Sequence, residues 1–211
     1  VVGNMGLVMT DIAFDPTGYL YGISFNKLYQ INKDTAAPTP VGNTGITSNS
    51  LVFDADGTLY TANNALYKLN PSTGAATRIG SGGTAYNSSG DLAFIAGELY
   101  LSSVGGVDNL IKLNKTTGAG ALVGSIGQAA VYGLATNNNV DLFGVAGTNI
   151  LSVNTATGAG STLVNFGGKG LGVAYGSSFI EEAAPPVPLP AAVWLFGSGL
   201  LGLIGFARRK H

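Results

Sequence analysis

The sequence contains no cysteine, so neither disulfides nor thiolate metal sites hold this chain together, and stability has to come from packing. Its single histidine is His211, the final residue, so no Ser-His-Asp set can be assembled and no histidine general base is available to the body. Charged residues make up only 10% of the chain and the formal net charge is −1. Without Arg208, Arg209 and Lys210 the remainder carries seven basic against eleven acidic residues, a net of −4. A mildly acidic surface lacks the basic footprint that binding to nucleic acid requires. The sequence also begins at Val1 without a methionine or an export signal, and an upstream segment is expected.

Glycine is abundant, at 33 of 211 residues, which suits many tight turns. The glycines recur in register with a repeat. Leu28-Tyr29-Gln30-Ile31-Asn32, Leu66-Tyr67-Lys68-Leu69-Asn70, Leu110-Ile111-Lys112-Leu113-Asn114 and Ile150-Leu151-Ser152-Val153-Asn154 align, each followed by Thr-Gly or, once, Thr35-Ala36. Their asparagines lie 38, 44 and 40 residues apart, the length of a propeller blade. A short apolar strand precedes each: Asp11 to Phe14, Ser50 to Phe53, Asp91 to Phe94 and Gly133 to Thr136. Between the two lies a further strand, as in Gly57-Thr58-Leu59-Tyr60. Units close on Val41-Gly42, Ile79-Gly80 or Val123-Gly124. Four short strands separated by turn residues make one blade, and such a unit buries its apolar faces only against its neighbours.

The expected fold is all-β, a propeller of about five four-stranded blades over residues 1–180. Val1 to Gly6 supplies the last strand of a fifth, composite blade, and Leu171 to Ile180 its first two. Six blades follow if more sequence is missing, and a β-solenoid is the second choice. Ala13, Val52, Ala93, Ala135 and Ala174 are equivalent and expected near the axis. Tyr21, Tyr60, Tyr67 and Tyr100 are expected to pack between blades. The Leu-Tyr-x-Ile-Asn-x-x-Thr-Gly and Phe-Asp-x-x-Gly-x-Leu-Tyr elements resemble secreted bacterial propellers of the NHL and YVTN kind, a resemblance that implies a fold and no catalytic residue.

Residues 181–190 are rich in Ala and Pro and read as an extended linker. Beyond it, Ala191 to Ala207 is an uncharged run of 17 residues followed by Arg208-Arg209-Lys210. As a helix the run rises about 25 Å, near the lower limit for crossing a hydrocarbon core. The positive-inside rule places the basic triplet in the cytoplasm and the body outside. Residues 187–211 resemble the PEP-CTERM sorting domain of Gram-negative bacteria. Val187-Pro188-Leu189-Pro190 corresponds to its proline motif, with Leu189 where the eponymous motif has Glu. The resemblance implies export, inner-membrane anchoring, processing by an exosortase-type membrane protease, and a destination at the cell surface or outside the cell.

Other motifs fit turns and membrane packing better than chemistry. Gly197-Ser198-Gly199-Leu200-Leu201-Gly202 matches a dinucleotide fingerprint but lies inside the apolar run, with no strand before it. Asp54-Ala55-Asp56-Gly57 has the start of a calcium loop but not its distant ligands, and reads as a turn, like Asp15-Pro16-Thr17-Gly18. Asp11 and Asp91 share a repeat position that faces a propeller's channel, but the counterparts Ser50, Gly133 and Gly172 offer no further ligand. The expectation is therefore an exported, non-catalytic binding or structural module without cofactor or metal residues, with extracellular polysaccharide as a candidate partner. Its alternatives are a secreted hydrolase or lactonase propeller and a lectin-like polysaccharide binder.

Overall fold

The computed structural model describes residues 2–179. They form four antiparallel four-stranded sheets, each a simple meander in chain order, with no helix. Blade 1 comprises β1 (Asp11–Phe14), β2 (Leu20–Ser24), β3 (Lys27–Ile31) and β4 (Pro38–Asn43). Blade 2 comprises β5 (Val52–Phe53), β6 (Leu59–Ala62), β7 (Leu66–Leu69) and β8 (Ala76–Gly80). Blade 3 comprises β9 (Ser88–Ile95), β10 (Glu98–Ser103), β11 (Asn109–Leu113) and β12 (Gly120–Ser125). Blade 4 comprises β13 (Val131–Ala135), β14 (Leu142–Ala146), β15 (Asn149–Val153) and β16 (Gly160–Asn165). The first strands β1, β5, β9 and β13 contact one another in sequence around the axis. The architecture is a β-propeller and not a solenoid.

The expected fifth blade does not form among the described residues. Neither Val2 to Gly6 nor Leu171 to Phe179 makes a strand. The sequence is in phase with the repeat at both ends, yet neither end has a third strand beside it to complete its hydrogen bonding. Gly3 still takes the place of a closing-strand glycine: a Cβ there would overlap the Thr35 carbonyl oxygen, as one at Gly42 would overlap that of Thr73. Val1 and everything from residue 180 onward lie outside the described residues, including the whole linker 181–190 with Val187–Pro190, the run Ala191–Ala207 and the basic cluster Arg208–Lys210. Among the described residues no helix is long and apolar enough to cross a membrane.

The Asn-x-x-Thr-Gly element folds for local reasons. Asn32, Asn70, Asn114 and Asn154 each accept, on Oδ1, the N–H groups two and three residues on. The Thr hydroxyl then accepts the N–H two residues beyond it. These side chains imitate a backbone turn between the third and fourth strands. Gly74, Gly118 and Gly158 follow with φ near +79°, +72° and +78°, and Ala36 adopts +61° at the same place. Each of these three glycines lies against the closing glycine of the preceding blade, Gly42, Gly80 and Gly124, so closely that neither partner has room for a Cβ.

The core lies between blades. One buried cluster joins blades 1 and 2 through Ile23, Leu28, Leu51, Phe53 and Leu59. A second joins blades 2 and 3 through Tyr60, Leu66, Leu92, Phe94 and Leu101. A third joins blades 3 and 4 through Tyr100, Leu110, Leu134, Leu142 and Leu151. Aromatic pairs recur with the repeat: Tyr21 meets Phe53 at 5.2 Å and Tyr60 meets Phe94 at 5.7 Å, ring centre to ring centre. Ala13, Val52, Ala93 and Ala135 are buried as expected, whereas Ala174 is only half-buried because its segment is not part of a sheet.

Candidate functional site

The two aspartates that share a repeat position come together. Asp11 opens β1 of blade 1 and Asp91 lies in β9 of blade 3, and both are buried. Asp11 Oδ1 accepts the Ile12 N–H at 2.8 Å, and Oδ2 accepts the Leu51 N–H of the next blade at 2.6 Å. Asp91 repeats the pattern with Leu92 and with Leu134 of blade 4, each at 2.6 Å. The two side chains also hydrogen-bond to each other. Burial pushes the Asp91 carboxyl well above the ordinary carboxylate range, and the neighbouring Asp11 charge and hydrogen bond push it further. A proton shared by the pair removes the like-charge conflict that two buried carboxylates would otherwise create. The pair staples blade 1 to blade 2 and blade 3 to blade 4 at the axis.

Ser50, the counterpart in blade 2, bonds within its own blade: its hydroxyl donates to the Ala62 carbonyl and accepts the Ala62 N–H. Asp108, which the repeat did not single out, adds another staple, accepting the Ser89 hydroxyl at 2.6 Å and the Val131 N–H at 2.8 Å. Its sequence signal was weak, because no other blade has an acid at that place. Among the described residues no group of three or more His, Cys, Asp or Glu is positioned to hold a metal ion. Asp54-Ala55-Asp56-Gly57 is a turn closed by the Gly57 N–H on the Asp54 carbonyl at 2.9 Å. Asp54 also receives Lys115 Nζ of blade 3 at 2.7 Å, which raises the Lys115 pKa.

Above the aspartate pair, where the four innermost strands begin, lies a cavity of about 1130 Å³. Asp11 and Ile12, Asn49, Ser88 to Gly90, and Tyr132 bring blades 1 to 4 to its wall. The segment Gly3 to Thr10 forms another wall, and Tyr175-Gly176 crosses the gap between blades 4 and 1. Tyr175 stacks on Tyr132 with centroids 5.8 Å apart and planes 14° apart. The Ser178 hydroxyl accepts the Phe14 N–H at 3.2 Å, tying the same strap to blade 1. Among the described residues no lysine or arginine lines the cavity, and the one acid there is the engaged Asp11. The repeat placed the first strands around the axis but gave no sign of this cavity, which depends also on the segments before blade 1 and after blade 4.

No curated protein matches the chain in sequence. Among solved structures, the hydrazine synthase of Kuenenia stuttgartiensis is similar over 74% of this chain and 48% of its own, with 11% identity and a TM-score of 0.51. The PQQ-bound aldose sugar dehydrogenase of Streptomyces coelicolor is similar over 70% and 59%, with 16% identity and a TM-score of 0.48. A protein of unknown function from Bacteroides caccae is similar over 77% and 62%, with 12% identity and a TM-score of 0.48. The chain thus spans from about half to under two thirds of the length of these structures, and the likeness concerns fold alone. At the other end, residues 186–210 match the PEP-CTERM protein-sorting motif, so this propeller carries a C-terminal signal that implies export, membrane-anchored sorting and exosortase processing.

Proposed function

We propose that the chain is a non-catalytic binding propeller delivered to the cell surface or beyond. In this reading Ala191 to Ala207 crosses the inner membrane with Arg208 to Lys210 on the cytoplasmic side, and the exosortase cuts near Val187 to Ala191. The observation that carries it is the sorting motif at 186–210 placed directly behind the propeller body. The absence of a catalytic role draws support from the axis. Asp11 and Asp91 are buried, spend both carboxyl oxygens on main-chain N–H groups and face each other. Neither is free to take a proton from a substrate.

Cell fractionation tests the reading. Leu201→Arg places a charge in the middle of the apolar run, at an insertion cost of about 2.5–3.5 kcal/mol. The wild type should pass through the membrane fraction to the exterior, while the variant should lose membrane insertion. Identical fractionation of the two, both in the cytosol, would refute the reading.

A further inference from the structure

We propose that the axial cavity is a binding site for an uncharged, mostly apolar small molecule carrying a hydrogen-bonding group. This deepens the binding role proposed above and rests on it. Its volume, about 1130 Å³, is slightly above the roughly 300–1,000 Å³ usual for ligand sites, ample for a small molecule. Three innermost strands, β1, β9 and β13, together with Asn49 ahead of β5, give it walls built on the blades. The opposite wall contains Met5 and Met9, unbranched side chains that adapt to a ligand's shape.

The lining selects the chemistry. With no lysine or arginine among the described lining residues, no cation there offsets the desolvation of a phosphate, sulfate or carboxylate. A cation fares no better, because the only acid among the described lining residues is Asp11, whose oxygens are occupied by N–H groups and by Asp91. The remaining polar groups are amides and hydroxyls. One of them, the buried Ser88 hydroxyl, has no hydrogen-bond partner among the described residues. A buried hydroxyl without a partner costs free energy that a ligand donor or acceptor would recover. The mouth opens to solvent past Val8, which is 69% exposed, Val104, 55% exposed, and Tyr175, 59% exposed. Three exposed apolar side chains around one cavity, with aromatic stacking at its edge, fit an entry path for an apolar ligand.

The test uses the full chain in lipid nanodiscs and two fluorescent probes that share a skeleton. N-phenyl-1-naphthylamine is neutral; 8-anilinonaphthalene-1-sulfonate adds one negative charge. Beyond the signal of empty nanodiscs, the neutral probe should bind saturably at one per chain and at least tenfold more tightly than the anionic one. Val8→Lys and Val104→Lys, at opposite walls, should each weaken the neutral probe at least fivefold and strengthen the anionic one. Val140→Lys, at an exposed position away from the cavity, should change neither. A neutral-probe signal equal to that of empty nanodiscs, or mouth variants that behave like Val140→Lys, would overturn the inference. A chain that is exported and cleaved but leaves the probe unbound overturns the cavity site alone. A chain that binds the probe but stays in the cytosol overturns the export reading alone.

Discussion

The three seams between consecutive blades and the gap between blades 4 and 1 are built differently. At each regular seam the bulged residue of the closing strand, Val41, Ile79 or Val123, packs into the core cluster. The glycine after it lies against the next blade's turn. The main chain also bonds across: Ala76 N–H to the Thr44 carbonyl, Gly120 N–H to Gly82 and Gly160 N–H to Ile126. In blade 4 the corresponding pair is Leu163 and Val164, which are 54% and 51% exposed. On the blade 1 side, Ala36 replaces the turn glycine, and Pro38, which has no N–H, stands where Ala76, Gly120 and Gly160 donate. A standard blade cannot dock on Val164, since a side chain there occupies the space the turn backbone needs. The difference teaches that, among the described residues, blade 4 lacks the glycine against which the other blades receive their neighbour's turn, and that the strap Leu171 to Phe179 spans the gap by a few side-chain and main-chain bonds.

The sharpest way to break the comparison is to give a regular seam the residue of the odd one. Gly124→Val should overpack the blade 3–4 seam and cost about 3 kcal/mol, at the upper end for inserted bulk. Urea denaturation measures it, and the reverse change Val164→Gly should stay within about 1 kcal/mol of wild type. Next comes Ala93→Phe at the axis, with an expected loss of about 1–3 kcal/mol. Ala174→Phe, its counterpart in the strap, should be nearly silent; equal losses for the two would put the strap inside the core.

The axial aspartates provide a pH test. The Asp91 carboxyl is raised in the folded state above its unfolded value, about 3.9. Its stabilising contribution is therefore complete below that value and is lost as pH rises through the folded pKa. Asp91→Asn keeps a neutral donor toward Asp11 but offers one acceptor where Leu92 and Leu134 present two N–H groups. It should cost about 1–2 kcal/mol at pH 5, with the difference from wild type shrinking toward pH 8. A difference that widens with pH would contradict the shared proton. The smallest effect is expected for Pro38→Ala, which restores the donor missing from blade 1; chain entropy offsets the gain, leaving a change of less than about 1 kcal/mol.

Much of the fold was readable because the repeat is written in residues with local roles. Four apolar-rich segments ending in Asn32, Asn70, Asn114 and Asn154 mark the third strand and its Asx turn in each blade, and the Val-Gly and Ile-Gly closings mark the seams. The blade count was not readable in the same way. Val2-Gly3-Asn4 and Gly172-Val173-Ala174 follow the repeat by composition, but a strand needs hydrogen-bonded neighbours, and that depends on residues far away in sequence. The site shared this limit. That Asp11 and Asp91 face the axis followed from their repeat position; that they meet depends on how many blades surround it. The cavity was invisible because half of its wall comes from the segments before blade 1 and after blade 4, outside the four sheets.

The most direct test of the central claim is the mass of the mature protein from a host that makes an exosortase. The account predicts material outside the inner membrane whose C-terminus lies near Val187 to Ala191, with the apolar run and Arg208-Arg209-Lys210 removed. A mature protein that still ends at His211 and fractionates with the cytosol would contradict it.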